Sequence, residues 1–258
     1  MKRVIFNQKG GVGKSTIAVN LAAIAAHAER KTLVIDVDPQ CNSSRYLLGD
    51  EAVDASPSIM DFFKSALDFQ FYPKPESSYV HETRFANLYI IPSHPEIGEL
   101  QGKLESRHKI YKLRDALNVL AKEFDEIVID TPSAYNFFTQ AALIAADSCL
   151  IPFDCDDFAR QALYTLMNNV REVQADHNPQ LFIEGIIVNQ FQPRSRLPQR
   201  LVDELLAEQL PVLDSKLSSS VRIRESHELN TPLIHLDARH KLSQEFVTLF
   251  DELQQLRR

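Results

Sequence analysis

Tryptophan is absent from this sequence of 258 residues, and cysteine and methionine occur only three times each. The cysteines, at positions 41, 149 and 155, form no C-x-x-C pair, which argues against an iron–sulfur cluster and favours reduced intracellular thiols. The eight histidines show no metal-ligand spacing. No apolar run reaches the length of about 18 residues that a transmembrane helix requires. The sequence therefore predicts a cytoplasmic protein without a histidine or cysteine metal site.

The charge balance is acidic, with a net charge of −7 and an isoelectric point near 5.6. This balance argues against indiscriminate binding of nucleic acid. A hydrophobic content of 44% and a charged content of 24% are typical of a globular domain. No linker, internal repeat or low-complexity run divides the chain. We therefore expect a single domain over residues 1–258.

Glycine is also scarce, but three of the seven copies fall in one short segment, K-G-G-V-G-K-S-T, which follows the apolar run V-I-F after two intervening residues. The run predicts a buried strand, and the residues from Ser15 onward predict a helix. Glycine lets successive backbone N–H groups converge on an anion that the helix N-terminus also attracts. Lys14 is placed to reach terminal phosphates, and the Ser15 hydroxyl to bind Mg²⁺. The nucleotide-binding residues predicted here are Lys9, Gly10, Gly11, Val12, Gly13, Lys14, Ser15 and Thr16.

The start of this loop departs from the usual G-x-x-x-x-G-K-[ST] pattern, because Gln8 replaces the first glycine and an extra lysine, Lys9, follows it. This is the deviant Walker A pattern, and in it the chain resembles the ParA/MinD/Soj family of ATPases. The resemblance is greatest to the ParA/Soj-type partitioning ATPases. It implies ATP and Mg²⁺ as cofactors and a homodimer formed with ATP. It also implies that Lys9 reaches across the dimer interface to the phosphates of the other subunit's ATP.

Two further apolar runs, L-V-I-D-V-D-P-Q and I-V-I-D-T-P, end in aspartates. An aspartate in such a place is often only a turn or helix-cap residue. The resemblance implies instead that Asp36 lies near the waters of Mg²⁺, that Asp38 orients the attacking water, and that Asp130 holds a water bound to Mg²⁺. The predicted metal-site residues are Ser15, Asp36 and Asp130. The predicted catalytic residues are Lys9, Lys14 and Asp38.

The later motifs of the family are weaker in this chain. The run G-I-I-V-N resembles the strand whose final asparagine, here Asn189, recognises the adenine edge, although an asparagine at a strand-to-loop turn is the alternative. The segment L-S-S-S-V-R-I-R-E-S aligns with one that usually begins I-P-R and borders the adenine side of the site, and here Ser218 and Ser219 replace the proline and the arginine. Ser133 stands where many members have a second proline.

Strands alternate with helices along the chain, which predicts an α/β fold, a mostly parallel sheet with helices on both faces. The predicted strands are Arg3–Asn7, Thr32–Asp36, Leu88–Ile91, Glu126–Asp130, Ser148–Phe153, Leu181–Asn189 and Leu233–His235. The predicted helices are Lys14–His27, Ile59–Leu67, Lys109–Phe124, Phe137–Ala145, Phe158–Ala175, Leu197–Leu210 and His240–Leu256. Ligands of such sheets bind beyond the carboxyl ends of the strands, where the loop and the aspartates fall.

Two surfaces suggest what an ATPase of this kind could bind. Arg194, Arg196 and Arg200 lie close together, and Arg222 and Arg224 occupy the segment where family members place DNA-contacting arginines. The predicted DNA-binding residues are Arg194, Arg196, Arg222 and Arg224, with a solvated face or internal ion pairs as the alternative. The last helix has an apolar stripe, as in membrane-binding MinD-like members, but its acids favour a core-facing helix.

The resemblance as a whole implies a dimerising ATPase switch of the P-loop NTPase fold. It would position or partition a cargo by non-specific DNA binding on the nucleoid. Slow hydrolysis, stimulated by a ParB-like protein or a cargo adaptor, would release it. No helix-turn-helix precedes the first strand, so operator binding is not expected. The alternatives are a MinD-like membrane-surface ATPase and a small-molecule ligase or phosphotransferase on the same fold.

Overall fold

The structure is a computed structural model and describes residues 1–68, 71–72, 74–155, 159–192 and 196–256. Its centre is an eight-stranded sheet in the order β3-β4-β2-β5-β1-β6-β7-β8. Every neighbouring pair is parallel except β3 and β4, which are antiparallel. The strands are β1 Lys2–Ile5, β2 Thr32–Asp36, β3 His81–Glu82, β4 Leu88–Ile91, β5 Glu126–Asp130, β6 Ser148–Asp154, β7 Phe182–Phe191 and β8 Val212–Ser218.

Helices cover both faces of the sheet, as predicted. They are α1 Lys14–His27, α2 Asn42–Leu48, α3 Ile59–Leu67, α4 Gln101–Ser106, α5 Lys112–Leu120, α6 Phe137–Ala145, α7 Ala159–Asp176, α8 Arg196–Ala207, α9 Arg222–Glu228, α10 Leu233–Leu236 and α11 Lys241–Gln255. Successive strand residues point to opposite faces, so Val4 and Phe6 join the core under α3, α5, α6 and α7. Ile5 joins the other core, under α1, α2, α10 and α11.

The predicted strand at Leu233–His235 is wrong, because these residues form helix α10. Pro232 precedes them as the N-cap residue, and proline favours the start of a helix over the middle of a sheet. The last strand of the sheet is β8, which the sequence did not predict. Its apolar pattern is diluted by polar residues, and only alternate side chains such as Leu213 and Leu217 are buried.

The apolar stripe of α11 faces the core. Leu249 and Leu253 are fully buried, and α11 packs on β8 and α1. The apolar stripe of α11 therefore packs against the core of its own chain, as the core-facing alternative expects. Across the described residues, no helix combines the length and the apolar character needed to cross a bilayer. The two arginines at positions 257 and 258 lie outside the described residues.

Candidate functional site

The loop between β1 and α1 is shaped by glycines at positions that other residues could not easily occupy. Gly11 and Gly13 have φ angles of 76° and 86°, in the left-handed region that favours glycine. A Cβ atom at Gly13 would also crowd the Asn189 side-chain amide, which would have to move. The loop therefore keeps a close backbone approach to β7 and leads directly into α1, whose first residue is Lys14.

The Lys14 side chain points into the site. Its Nζ donates to Ser133 Oγ at 2.6 Å and to the Lys9 carbonyl oxygen at 3.3 Å, and the residue is only 6% exposed. Burial lowers the pKa of the Lys14 ammonium, while the charges of Asp130 and Asp38 oppose this shift. Ser133, noted in the sequence only as a replacement for proline, is thus a direct partner of Lys14. An anion would compensate the buried ammonium better than these two neutral oxygens do.

Asp130 ends β5 in register with Asp36 at the end of β2, and both carboxyls are completely buried. Burial raises the pKa of Asp130, and the nearby hydroxyls of Ser15 and Ser43 oppose this shift; the Ser43 hydroxyl donates to Oδ2 at 2.7 Å. Among the described residues, Asp130 Oδ1 has no hydrogen-bond partner. A buried carboxylate oxygen without a donor, close to the Ser15 hydroxyl, is the arrangement that a Mg²⁺ ion with bound waters fits.

Asp36 has a different environment from Asp130. Its Oδ1 accepts from the Asp38 backbone N–H at 3.0 Å, and its Oδ2 accepts from the N–H and the hydroxyl of Ser44 at 2.9 and 2.7 Å. Burial raises the pKa of Asp36, and the charge of Asp130 adds to this. Asp36 therefore anchors the loop that carries Asp38 and the start of α2. Its predicted contact with the waters of Mg²⁺ stays a prediction.

Asp38 lies beyond the end of β2 and lines the cavity in front of the glycine loop. Its Oδ1 accepts from the Gln40 N–H at 2.9 Å, which fixes the orientation of the carboxylate. The residue is 7% exposed, so the cavity is the side from which a water or a ligand reaches it. This position suits a group that orients a reacting water, which is the role the resemblance implies.

Lys9 lies at the rim of the site, where the loop begins. The Asn7 side chain positions it, accepting from the Lys9 N–H at 2.9 Å while its own amide donates to the Pro152 carbonyl oxygen at 2.6 Å. The Lys9 side chain is 36% exposed, and its Nζ lies 3.9 Å from Asp154 Oδ2 at the end of β6. Lys9 and Lys14, five residues apart, therefore face different surroundings, the rim and the interior.

The loop borders a cavity of about 420 Å³, whose lining includes Lys14, Ser15, Thr16 and Asp38. The opposite wall was not predicted, because no motif marks the residues of α2, of α9 and of the turn after α9 that form it. Its members are Asn42, Arg45, Tyr46, His227 and Asn230. Thr16 Oγ1 lies 3.1 Å from His227 Nε2, and the rings of Tyr46 and His227 meet edge to face at 4.7 Å.

Asn189 and Ser218, which belong to the two late motifs, form hydrogen bonds within the chain. The Asn189 amide donates to the Val12 carbonyl oxygen at 2.9 Å, so Asn189 supports the glycine loop, and recognition of adenine by it stays a prediction. The Ser218 N–H donates to Glu245 of α11 at 2.7 Å, and the Ser218 hydroxyl bonds to the same carboxylate. The segment that replaces I-P-R is therefore fixed to α11.

The predicted DNA-binding arginines have unequal surroundings. Arg222 pairs with Glu225 at 2.5 Å and with Asp237 at 3.3 Å, so the internal ion pair that the sequence left open is present for this residue. Arg224 is exposed. Arg194 lies outside the described residues, and Arg196 begins α8.

The chain is similar to known proteins over most of its length. A family model described as an AAA domain matches residues 2–183. The chromosome partitioning protein ParA of Myxococcus xanthus is 34% identical over 251 residues, covering 96% of this chain and 86% of that protein. The sporulation initiation inhibitor protein Soj of Bacillus subtilis is 30% identical, covering 96% of both. The apo McdA structure from Cyanothece has a TM-score of 0.85 at 23% identity, covering 100% and 99% of the two chains, and shows the fold alone.

A parallel sheet with this glycine loop and these strand-end carboxylates defines the class of P-loop ATPases. Within that class, the chain belongs to the ParA/MinD/Soj family of deviant Walker A ATPases. It is a partitioning or positioning ATPase in the general sense that this family defines.

Proposed function

We propose that the chain, acting as one ATPase domain, is a switch that dimerises with ATP and Mg²⁺ and is reset by slow hydrolysis. The observation that supports this proposal is that the two loop lysines have different surroundings. Lys14 lies buried against the site of its own subunit, whereas Lys9 stands at the rim with its Nζ beside Asp154. A lysine at the rim is positioned to contact the phosphates of a second subunit facing the first.

Within one subunit, each side chain has a distinct task. The Ser15 hydroxyl and Asp130 Oδ1 would hold Mg²⁺ directly or through its waters, and the ion would neutralise charge on the phosphates. Lys14 supplies a cation to the phosphates from inside the loop. Asp38 orients a water molecule in the cavity and accepts its proton. Asp36 and Asn7 hold the loops that carry these groups.

The surface that the dimer binds is, in this proposal, non-specific DNA of the nucleoid, with a partner protein stimulating hydrolysis to release it. A net charge of −7 gives a single subunit little attraction for a polyanion. A dimer would present the exposed Arg224 twice, together with whatever charge Arg222 retains outside its ion pairs. The protein ParA of Myxococcus xanthus, a relative named for chromosome partitioning, supports this direction.

Binding to random duplex DNA is expected to require ATP and to weaken steeply with salt. Each phosphate contact contributes about −0.9 to the slope of log K against log salt, so two copies of one arginine contribute about −1.8. Arg224→Glu should therefore flatten the slope by about 2 and leave ATP-dependent dimerisation intact. Interferometry on immobilised random duplex at several salt concentrations, with ATP and with ADP, measures both quantities.

The control variant is Arg171→Glu, which makes the same charge change at an exposed arginine of α7. Arg171→Glu should lower the affinity for duplex DNA only slightly, and by the same amount for every DNA sequence. Equal binding with ATP and ADP, or no binding by the ATP dimer at low salt, would remove DNA as the surface. Vesicle flotation with ATP would then test the MinD-like alternative.

A further inference from the structure

The wall of the cavity that α2 and α9 form is held in place by contacts within the protein. Tyr46 is buried, its hydroxyl accepts from the Asn20 amide at 3.2 Å, and it forms a short contact with Ser226 Oγ. Its ring supports His227, which in turn reaches Thr16 at the first turn of α1. The wall is therefore connected to the glycine loop and keeps a fixed position across the cavity from it.

The other side of α2 is fixed to the metal-site carboxylates. The Ser43 hydroxyl donates to Asp130 at 2.7 Å, and Ser44 donates to Asp36 through both its hydroxyl and its N–H. With its side-chain amide in the orientation that satisfies both atoms, Asn230 donates to the Arg45 carbonyl oxygen at 3.1 Å. Contacts on two sides of α2 therefore fix the backbone of residues 43–46, from which the Arg45 side chain extends.

Arg45 is a cation in this cavity that no motif explains. Arg45 lines the same space as Lys14 and Thr16. Within the described part of the chain, no carboxylate forms an ion pair with Arg45 and no acceptor bonds its guanidinium. A guanidinium offers five donors in a planar fork that matches phosphate, so a polyphosphate in the cavity would supply the partner that the protein does not.

We propose that Arg45 is a further nucleotide-binding residue, whose guanidinium binds phosphate oxygens of the nucleotide from the wall opposite the glycine loop. The inference rests on the proposed ATP site but adds a group that the deviant Walker A pattern does not contain. Tyr46 and His227 act as positioning residues, because they hold the wall beside Thr16. The ligand is then contacted from two sides, by Lys14 and the loop N–H groups on one side and by Arg45 on the other side.

Calorimetry with ADP and Mg²⁺ tests this assignment on the full chain. Arg45→Ala is expected to weaken ADP binding about fivefold, which corresponds to about 1 kcal/mol, and Arg45→Lys to recover part of that loss. Arg239→Ala is the matched control, since it removes the same charge at an exposed position outside the cavity. Thermal midpoints without nucleotide should agree among the variants, because none of these arginines is buried.

Lys14→Ala, measured in parallel, separates this inference from the proposed function. If Lys14→Ala weakens ADP binding while Arg45→Ala matches Arg239→Ala, the role of Arg45 is wrong and the phosphate loop stands. If the unchanged protein does not bind ADP, or if neither Lys14→Ala nor Arg45→Ala has an effect, both proposals are wrong. A loss that is specific to Arg45→Ala and partly recovered by lysine supports the inference.

Discussion

Lys14→Ala is expected to lower the affinity for ATP at least tenfold, or by about 1.4 kcal/mol. The substitution removes the ammonium that faces the phosphates and leaves the backbone of the loop in place. In the structure this ammonium is buried, and among the described residues its hydrogen bonds go to Ser133 Oγ and the Lys9 carbonyl oxygen. A bound polyphosphate would replace these two neutral acceptors by an anion, and the variant loses this charge-assisted contact.

The same environment predicts that Lys14→Ala leaves the nucleotide-free protein no less stable. Burial lowers the pKa of the Lys14 ammonium, which means that the fold disfavours its charge. The thermal midpoint without nucleotide should therefore stay constant or rise, while the increase that ATP and Mg²⁺ produce in the unchanged protein should largely disappear. Scanning calorimetry measures both, with Lys103→Ala at an exposed position of α4 as the control. Unchanged ATP affinity would contradict the assignment of the phosphate loop.

The parts of the fold that were predicted correctly are those whose information is local. The continuous apolar runs of β2 and β5 were predicted with the bounds that the structure shows, because a fully buried parallel strand needs apolar residues on both faces. By contrast, β8 is the last strand of the sheet, next to β7, and its three central residues are all polar, so its pattern is too weak to recognise. Helix α10 is four residues long, too short for a helical period to show.

The residues of the candidate site also fall into one group that the sequence could predict and one that it could not. The glycine loop, Asp36, Asp38 and Asp130 follow strands at one edge of the sheet, and the rule for parallel sheets places them together. Arg45 and His227 come together only because α2 and α9 pack beside α1, an arrangement set by tertiary contacts between residues about 180 positions apart. Nothing in the spacing of either helix marks these side chains as neighbours of a phosphate loop.

Lys9→Ala and Asp38→Ala are expected to fail at different steps. Lys9→Ala should bind ATP through its intact loop, yet remain monomeric and inactive, because the lysine at the rim is the one that would cross to the second subunit. Asp38→Ala should dimerise with ATP and lose turnover by at least about a hundredfold, since the reacting water loses the carboxylate that orients it. Light scattering with ATP and Mg²⁺ and phosphate release measure the two steps separately.

Mixing the two inactive variants gives the sharpest test of a lysine that acts across the interface. In a mixed dimer, the subunit carrying Lys9→Ala keeps its own Asp38 and receives Lys9 from its partner, so one of the two sites is complete. Each mixed dimer has one complete site of its two, so turnover can reach at most about half of the original value, and less to the extent that Asp38→Ala pairs with itself. If Lys9 served its own subunit, no site in the mixture would be complete and turnover would stay at the level of the separate variants. A Lys9→Ala protein that dimerises and hydrolyses ATP normally would contradict the crossing role altogether.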